Sequence, residues 1–133
     1  MMSASIKATL GKDNYYTEVV AGNNQLVSDE PIDKGGQDKG FKPTELLASS
    51  LACCTAATLK MYLDRKEWNV DKIHIEVELS DQDASKTTVF SRKISFEGAN
   101  FTAEQMKRIQ HIADACPVHK ILTGNVKIPT EFV

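Results

Sequence analysis

An unbroken run of uncharged residues from Leu46 to Leu59 constrains the fold of this chain more than any other feature. Pro43 suits the first turn of a helix, Glu45 complements the positive end of the helix dipole, and helix formers continue to about Arg65. The run is shorter than the roughly 18 to 20 apolar residues that a bilayer crossing needs. It predicts a core helix whose first half is enclosed by other elements and whose charged second half emerges.

Length and composition indicate one ordinary globular domain. The chain has 133 residues, of which 41% are hydrophobic and 26% charged, and its net charge is -2. This composition excludes disorder, collagen and coiled coil, and we expect a single domain spanning residues 1–133. Nucleic acids and anionic membranes are usually bound by clusters of Lys and Arg, so the near-neutral balance favours small neutral or apolar partners.

The N-terminal residues and the cysteine count point to a reducing compartment. Met1 to Lys7 lack the basic and apolar regions of a secretory signal, so we expect the protein to be cytoplasmic. The chain has three cysteines. In a reducing compartment these thiols are better suited to core packing, metal binding or redox chemistry than to structural bridges.

Short segments of β-prone or alternating residues predict six strands. They are Ile6 to Leu10, Tyr15 to Val20, Gln25 to Ser28, Asp71 to Ser80, Thr87 to Glu97 and Val126 to Phe132. The first three indicate an antiparallel meander, and the next two form a hairpin around a polar turn, Asp81 to Lys86. Pro129 places the closing strand at an edge. Asp29 to Gly40 predicts a surface loop of the length that often borders a site.

A second and a third helix are predicted between the hairpin and the closing strand. Thr102 and Gln105 have the spacing of a capping box, so a helix begins there. Pro117 cannot continue that helix without the loss of a hydrogen bond, but it suits the start of a short helix running to about Leu122. The order of strands, long helix, hairpin, two helices and strand predicts the α+β class.

The cysteines are the residues best suited to chemistry. Cys53 and Cys54 point about 100° apart on a helix, so they cannot serve one site equally, and periodicity does not decide which of them is reactive. Cys116 precedes the turn that Pro117 starts, where backbone N–H groups would stabilise a thiolate and lower its pKa. Each cysteine could instead be a small apolar residue of the core.

Other polar residues offer weaker signals. Cys116 and His119, taken with the Cys53–Cys54 pair, contain enough sulfur and imidazole for zinc, but consecutive helical cysteines diverge, so we expect no metal. Arg92 lies on an otherwise apolar strand face. It must either pair with a carboxylate such as Glu45 or, as the default, reach solvent past its neighbours.

Two segments resemble the cysteine motifs of the OsmC/Ohr family: KPTELLASSLACCT at residues 42–55 and ACPVH at residues 115–119. The family motifs are a Pro-x-Glu-Leu-type helix start ending in Ala-Cys or Gly-Cys, and a Cys-Pro-Val sequence after the next long helix. Both motifs occur here in the right order and spacing. The resemblance covers most of the chain, including the strand order.

The resemblance implies a fold and an activity. Members of this family have antiparallel sheets packed on a long central helix and form intertwined homodimers with active sites at the subunit interface. They are thiol-dependent peroxidases that reduce organic hydroperoxides with electrons from a dithiol reductant, and they need no metal or organic cofactor. Matching by motif makes Cys54 the peroxidatic cysteine, Cys116 the resolving cysteine and Cys53 a packing residue.

The chain departs from the hydroperoxide-specialised branch of that family at the pair that activates the thiolate. Where that branch has arginine after the first strand, this sequence has Lys12, and where it has glutamate, this sequence has Thr44 with Glu45 next to it. Lys12, Glu45 and Arg92 are therefore candidates for the activating groups, although a lysine lacks the forked geometry of a guanidinium.

A binding module is the alternative to an enzyme. An apolar small molecule could lie between the long helix and a sheet, with the cysteines merely lining its site. Hydroperoxide would then leave Cys54 and Cys116 reduced, whereas a peroxidase would oxidise them.

Overall fold

A computed structural model describes residues 3–82 and 86–133 of the chain. The chain divides between Leu47 and Ala48 into two compact units. Of the predicted polar turn from Asp81 to Lys86, residues 83–85 lie outside the described residues.

The first unit contains a three-stranded antiparallel meander. Its strands are β1 (Lys7–Leu10), β2 (Thr17–Ala21) and β3 (Asn24–Ser28), with β2 in the middle. Ala21 pairs with Asn24, which leaves Gly22 and Asn23 as a two-residue turn. Gly22 has a φ of 60°, the left-handed conformation that such a turn requires. The predicted meander is confirmed.

A buried carboxylate organises the loop that follows β3. The side chain of Asp29 accepts four backbone hydrogen bonds of 2.8 to 3.3 Å, from the N–H groups of Tyr15, Glu30, Gln37 and Lys39. Gly36 allows the loop to close, because a Cβ at this position would lie 2.0 Å from the carbonyl oxygen of Glu30. The sequence predicted a loop here, but it did not predict that a buried aspartate forms the centre.

The second unit contains most of the long helix, a hairpin and two shorter helices. Their bounds are α1 (Pro43–Lys66), β4 (Lys72–Gln82), β5 (Thr87–Glu97), α2 (Ala103–Asp114) and α3 (Pro117–Thr123). β4 and β5 are antiparallel, with Val77 opposite Arg92 and Ile75 opposite Ile94. The predicted hairpin, the three predicted helices and the α+β class are confirmed.

The core of the second unit joins α1, α2 and the hairpin. Its buried members are Leu59, Tyr62, Leu63, Ile109 and Ala113, and apolar side chains of β4 and β5 pack against them. The predicted capping box starts α2. The Thr102 hydroxyl accepts from the Gln105 N–H at 3.1 Å, and the Gln105 side chain accepts from the Thr102 N–H at 2.8 Å.

The prediction that the first half of α1 is enclosed and its second half emerges is wrong for the single chain. The buried positions of α1 follow one face and are most frequent towards the C-terminal end: Leu51, Thr55, Leu59, Tyr62 and Leu63. The hairpin and α2 pack against that end, which is why burial increases there. On the opposite face, Cys53, Ala57 and Met61 are exposed.

Within residues 3–82 and 86–133, α1 is the one helix long and apolar enough to cross a bilayer, although the uncharged run on its own is too short. Core helices of soluble proteins pass the same test of length and composition. The apolar residues on the buried face of α1 belong to such a core.

The predicted closing strand is wrong. Residues 125–133 form no strand, and the alternating apolar side chains Val126, Ile128 and Phe132 are exposed. A strand needs a neighbouring strand to pair its backbone N–H and C=O groups. None of the described strands, β1 to β5, pairs with this segment.

We predict that Asp29→Asn destabilises the fold at neutral pH and that the effect shrinks in acid. Burial acts to raise the pKa of Asp29, but its four backbone hydrogen bonds outweigh burial and hold the pKa below its ordinary value. The carboxylate thus stabilises the fold above about pH 4, and this contribution is lost as the pH falls further, through the lowered pKa of the folded state. Urea unfolding of parent and variant at pH 7 and pH 3 measures the difference.

Asp33→Asn is the matched control, because Asp33 is an exposed carboxylate in the same loop. It should leave the unfolding midpoint nearly unchanged at both pH values. Equal midpoints for the Asp29 and Asp33 variants at pH 7 would contradict the role assigned to Asp29.

Candidate active site

Two of the three thiols are in contact. Cys54 lies on α1 and Cys116 at the N-terminal cap of α3, and the thiol of Cys54 donates a hydrogen bond to the sulfur of Cys116. Cys53 is exposed, Cys54 is half-buried and Cys116 is fully buried, and all three are free thiols. A small molecule in solvent can therefore reach Cys54 of the pair more readily than Cys116.

The two sulfurs of the pair lie in different electrostatic surroundings. Burial acts to raise the pKa of Cys116, but hydrogen bonds from Cys54, from the N–H groups of His119 and Val118, and from the Thr55 hydroxyl outweigh burial and lower it. For Cys54, burial and the hydrogen bond and negative charge of Cys116 raise the pKa. The first negative charge of the pair therefore resides on Cys116, whose lowered pKa was predicted from the Pro117 turn.

Arg92 extends from β5 to residues of all three helices. Its Nη1 donates to the Thr55 hydroxyl and to the Ala113 carbonyl oxygen, both at 3.0 Å. Its Nη2 lies 2.9 Å from Asp114 Oδ1 and 3.1 Å from His119 Nδ1. The side chain is only 13% exposed. The default expectation that Arg92 reaches solvent is wrong, because these four acceptors surround it and Asp114 supplies the counter-charge.

A family model for OsmC-like proteins matches residues 36–131, which include the thiol pair and Arg92. The chain belongs to the OsmC-like protein family. The family predicted from the two cysteine motifs is confirmed. No curated protein sequence matches the chain.

Solved structures of OsmC-like proteins have the same fold. The OsmC like protein from Mycoplasma pneumoniae has a TM-score of 0.76 and 22% identity, covering 92% of this chain and 89% of that chain. The organic hydroperoxide resistance protein OsmC from Legionella pneumophila has a TM-score of 0.63 and 19% identity, covering 94% of this chain and 92% of that chain. The organic hydroperoxide resistance protein OhrB of Bacillus subtilis has a TM-score of 0.60 and 18% identity, covering 93% of this chain and 93% of that chain. The likeness confirms the fold predicted for a single subunit of the family.

The remaining candidates for activation, Lys12 and Glu45, belong to the first unit. Lys12 is exposed and follows β1. Glu45 is exposed in the first turn of α1, where its carboxylate accepts the backbone N–H of Lys42 at 3.0 Å. Their part in activating the thiols of this OsmC-like protein stays a prediction.

His74 and His119 of the second unit each contact a charged side chain. His119 Nδ1 faces Arg92, and His74 pairs with Glu97 across the hairpin. Among residues 3–82 and 86–133 there is no group of three or more His, Cys, Asp or Glu side chains arranged to hold a metal ion.

An open cleft lies beside Arg92. Its volume is about 400 Å³, and its lining combines apolar side chains from Leu51, Phe90 and Leu122 with the polar groups of Arg92 and His119. A cleft of this composition suits a small molecule that is apolar along most of its length and polar at one end.

Sequence reasoning missed Thr55 and Asp114. Both contact Arg92, and Thr55 also contacts Cys116. The signal for Thr55 was available: it lies four residues from both Leu51 and Leu59 on one helix row, and a hydroxyl on a buried face needs a hydrogen-bond partner. Asp114 is separated from Arg92 by 22 residues, so no local pattern reveals the pair.

We predict that the thiol pair loses its two protons in well-separated steps. In a Cys53→Ser variant, the first thiolate should form below the ordinary thiol pKa of about 8.5 and the second above it, because the charge on Cys116 opposes ionisation of Cys54. Thiolate absorbance in the ultraviolet as a function of pH measures both steps. A Cys53→Ser/Cys116→Ser variant should show one step, and a single two-proton transition in the Cys53→Ser protein would contradict the assignment.

Proposed function

We propose that this OsmC-like protein is a thiol-dependent peroxidase that reduces organic hydroperoxides to alcohols, with Cys54 as the attacking and Cys116 as the resolving cysteine. The observation that carries the proposal is the hydrogen bond between an accessible thiol, Cys54, and a buried, polarised one, Cys116. Similar proteins from Legionella pneumophila and Bacillus subtilis are named organic hydroperoxide resistance proteins, which supports the choice of substrate.

The first step starts from the form of the pair in which Cys116, the thiol with the lowered pKa, is the thiolate. As Cys54 attacks, its proton passes along the existing hydrogen bond to the Cys116 sulfur, so Cys54 is a thiolate when it bonds to the distal oxygen of ROOH. The O–O bond breaks, and the alkoxide takes the proton from Cys116 and leaves as alcohol. Cys54 is left as a sulfenic acid, oxidised by two electrons.

The second step closes a disulfide. Cys116, again a thiolate, attacks the Cys54 sulfur, an S–S bond forms, and hydroxide leaves and takes a proton from solvent to become water. A dithiol reductant then attacks the more accessible Cys54 sulfur and expels Cys116 as a thiolate. The second thiol of the reductant closes its own disulfide and restores Cys54. No metal or organic cofactor takes part in this cycle.

The cleft beside Arg92 supports an apolar substrate. Leu51, Phe90 and Leu122 contribute apolar walls, which favour a fatty or aromatic hydroperoxide over hydrogen peroxide because the larger substrates bury apolar surface. Arg92 has its terminal nitrogens engaged with four protein acceptors, so its contribution to the reaction is through the site rather than through a direct contact with substrate.

We propose a homodimer as the working assembly. Met61 on α1 is 67% exposed, and apolar side chains of β1 and of the C-terminal segment are exposed as well. Exposed apolar surface spread over several elements is typical of a chain that buries it against a partner. A second copy is the partner that the family resemblance implies.

The same proposal covers domain organisation and location. The family match at residues 36–131 crosses the boundary between the two units, which supports one OsmC-like domain over residues 1–133. Free thiols that must be returned to the reduced state suit the cytoplasm, where dithiol reductants are maintained.

We predict that variants of the three cysteines differ in how they affect peroxide reduction. Cys54→Ser should abolish turnover, because the nucleophile is lost with little change in volume. Cys116→Ser should reduce about one equivalent of peroxide, more slowly than the parent because Cys116 no longer takes up the Cys54 proton, and should accumulate a sulfenic acid because resolution is lost. A peroxide-consumption assay with cumene and fatty hydroperoxides, together with peptide mapping of the parent, measures both effects.

Cys53→Ala is the matched control for this series and should keep parental turnover, since Cys53 is exposed and outside the pair. The parent should form a Cys54–Cys116 disulfide. Loss of turnover in Cys53→Ala, with activity retained in Cys54→Ser, would show that Cys53 and not Cys54 is the nucleophile. If hydroperoxide leaves every thiol of the parent reduced, the protein is a binding module and not a peroxidase.

We predict that the protein is a dimer at micromolar concentration and that Met61→Glu weakens it, because a charge on the exposed apolar face of α1 would have to be buried. Light scattering as a function of concentration measures the mass. Lys107→Glu, at an exposed polar position of α2, is the control and should leave the dimer intact. A folded parent that remains monomeric would contradict the proposed assembly.

A further inference from the structure

The Thr55 hydroxyl has three polar neighbours in a fully buried position. Its oxygen lies 2.7 Å from the carbonyl oxygen of Leu51, 3.0 Å from Arg92 Nη1 and 3.8 Å from Cys116 Sγ. These neighbours come from α1 itself, from β5 and from the cap of α3. One hydroxyl therefore connects the arginine to the buried sulfur.

The donors and acceptors at Thr55 restrict what its single hydrogen can do. A guanidinium has donors only, so the hydroxyl oxygen must accept from Arg92. The hydrogen is then left for either the Leu51 carbonyl oxygen or the Cys116 sulfur. With a neutral sulfur the carbonyl is the better acceptor at 2.7 Å. With a negatively charged sulfur the charge-assisted hydrogen bond is the stronger one.

Arg92 acts on the sulfur through this hydroxyl rather than directly. Its two terminal nitrogens are engaged with Thr55, Ala113, Asp114 and His119. A hydroxyl that accepts a bond from a cation becomes a better donor, because hydrogen bonds in a chain polarise one another. The contact from Arg92 thus fixes the oxygen and strengthens the donor that faces Cys116.

We infer that Thr55 is a positioning residue of the thiol pair: its hydroxyl, held by Arg92, turns from the Leu51 carbonyl oxygen to the Cys116 sulfur when that sulfur carries the negative charge. The inference rests on the proposed function for its purpose, since a stabilised Cys116 thiolate takes up the Cys54 proton, attacks the sulfenic acid and leaves when the disulfide is reduced. The change of hydrogen-bond partner itself does not require a peroxide.

Four ionisable groups besides Cys116 lie in this cluster, either in the hydrogen-bond chain itself or in contact with it. They are Cys54 on α1, Arg92 on β5, Asp114 at the end of α2 and His119 on α3. His119 Nδ1 faces a donor of Arg92, so it accepts in the neutral imidazole, and protonation of His119 would place two cations together. The test is therefore made above the ordinary pKa range of histidine.

The experiment measures the thiolate absorbance of Cys116 in the ultraviolet as a function of pH in a Cys53→Ser/Cys54→Ser background, where Cys116 is the single thiol. This readout does not require a reagent to reach the buried sulfur. Thr55→Val keeps the shape of the side chain and removes the hydroxyl. We expect the midpoint of its thiolate titration to rise by about one pH unit.

Thr55→Ser is the matched control, because it keeps the hydroxyl, and its midpoint should stay within a few tenths of a unit of the parent background. Equal midpoints in the valine and serine variants would overturn the inference.

Arg92→Lys decides the question if Thr55→Val does not fold. Lysine keeps the charge but cannot bond the Thr55 hydroxyl and three other acceptors at once. We expect the Cys116 midpoint to rise in the same background, and an unchanged midpoint would overturn the inference. Because no hydroperoxide is used, these outcomes are separate from those that test the peroxidase proposal.

Discussion

The geometry of the second unit depends on the hydrogen bonds made by the largely buried guanidinium of Arg92. A cation removed from solvent is costly unless its hydrogen bonds are made and its charge is balanced. Thr55 on α1, the C-terminal end of α2 with Asp114, and His119 on α3 supply those partners. The hydrogen bonds of this one side chain on β5 thus fix the positions of all three helices relative to that strand. One cysteine of the pair lies on α1 and the other at the cap of α3.

The asymmetry of the thiol pair follows from that arrangement. Cys116 lies at the cap of α3, where the N–H groups of Val118 and His119 and the hydroxyl of Thr55 point at one sulfur. Cys54 is closer to solvent, but its partial burial and the neighbouring Cys116 raise its pKa. The accessible sulfur therefore has the raised pKa and the buried sulfur the lowered pKa. Neither property is intrinsic to cysteine: Cys54 lies within α1, whereas Cys116 lies at the N-terminal cap of α3.

Local patterns predicted the elements of this fold, and long-range contacts decided the site. The capping box at Thr102 and the alternation along β4 and β5 depend on residues a few positions apart, so the sequence contains the whole signal. The bond from Arg92 to Thr55 spans 37 residues, and its pairing with Asp114 spans 22. Without knowing which elements meet, the expectation of a solvent-exposed arginine was reasonable, and it was wrong.

The two other wrong predictions, the enclosed first half of α1 and the closing strand, were both based on apolar sequence patterns. The first half of α1 is apolar or small all round, as an enclosed helix is, and residues 126–132 alternate as a half-buried strand does. In the single chain the face of α1 that carries Ala57 and Met61 is exposed, and the C-terminal segment pairs with none of the described strands. Apolar patterns of this kind indicate segments that are stable when they are buried or paired. The single subunit neither covers this face of α1 nor pairs the C-terminal segment with one of the described strands. In the proposed homodimer, a second copy could cover both features, and a single cause would then explain both wrong predictions.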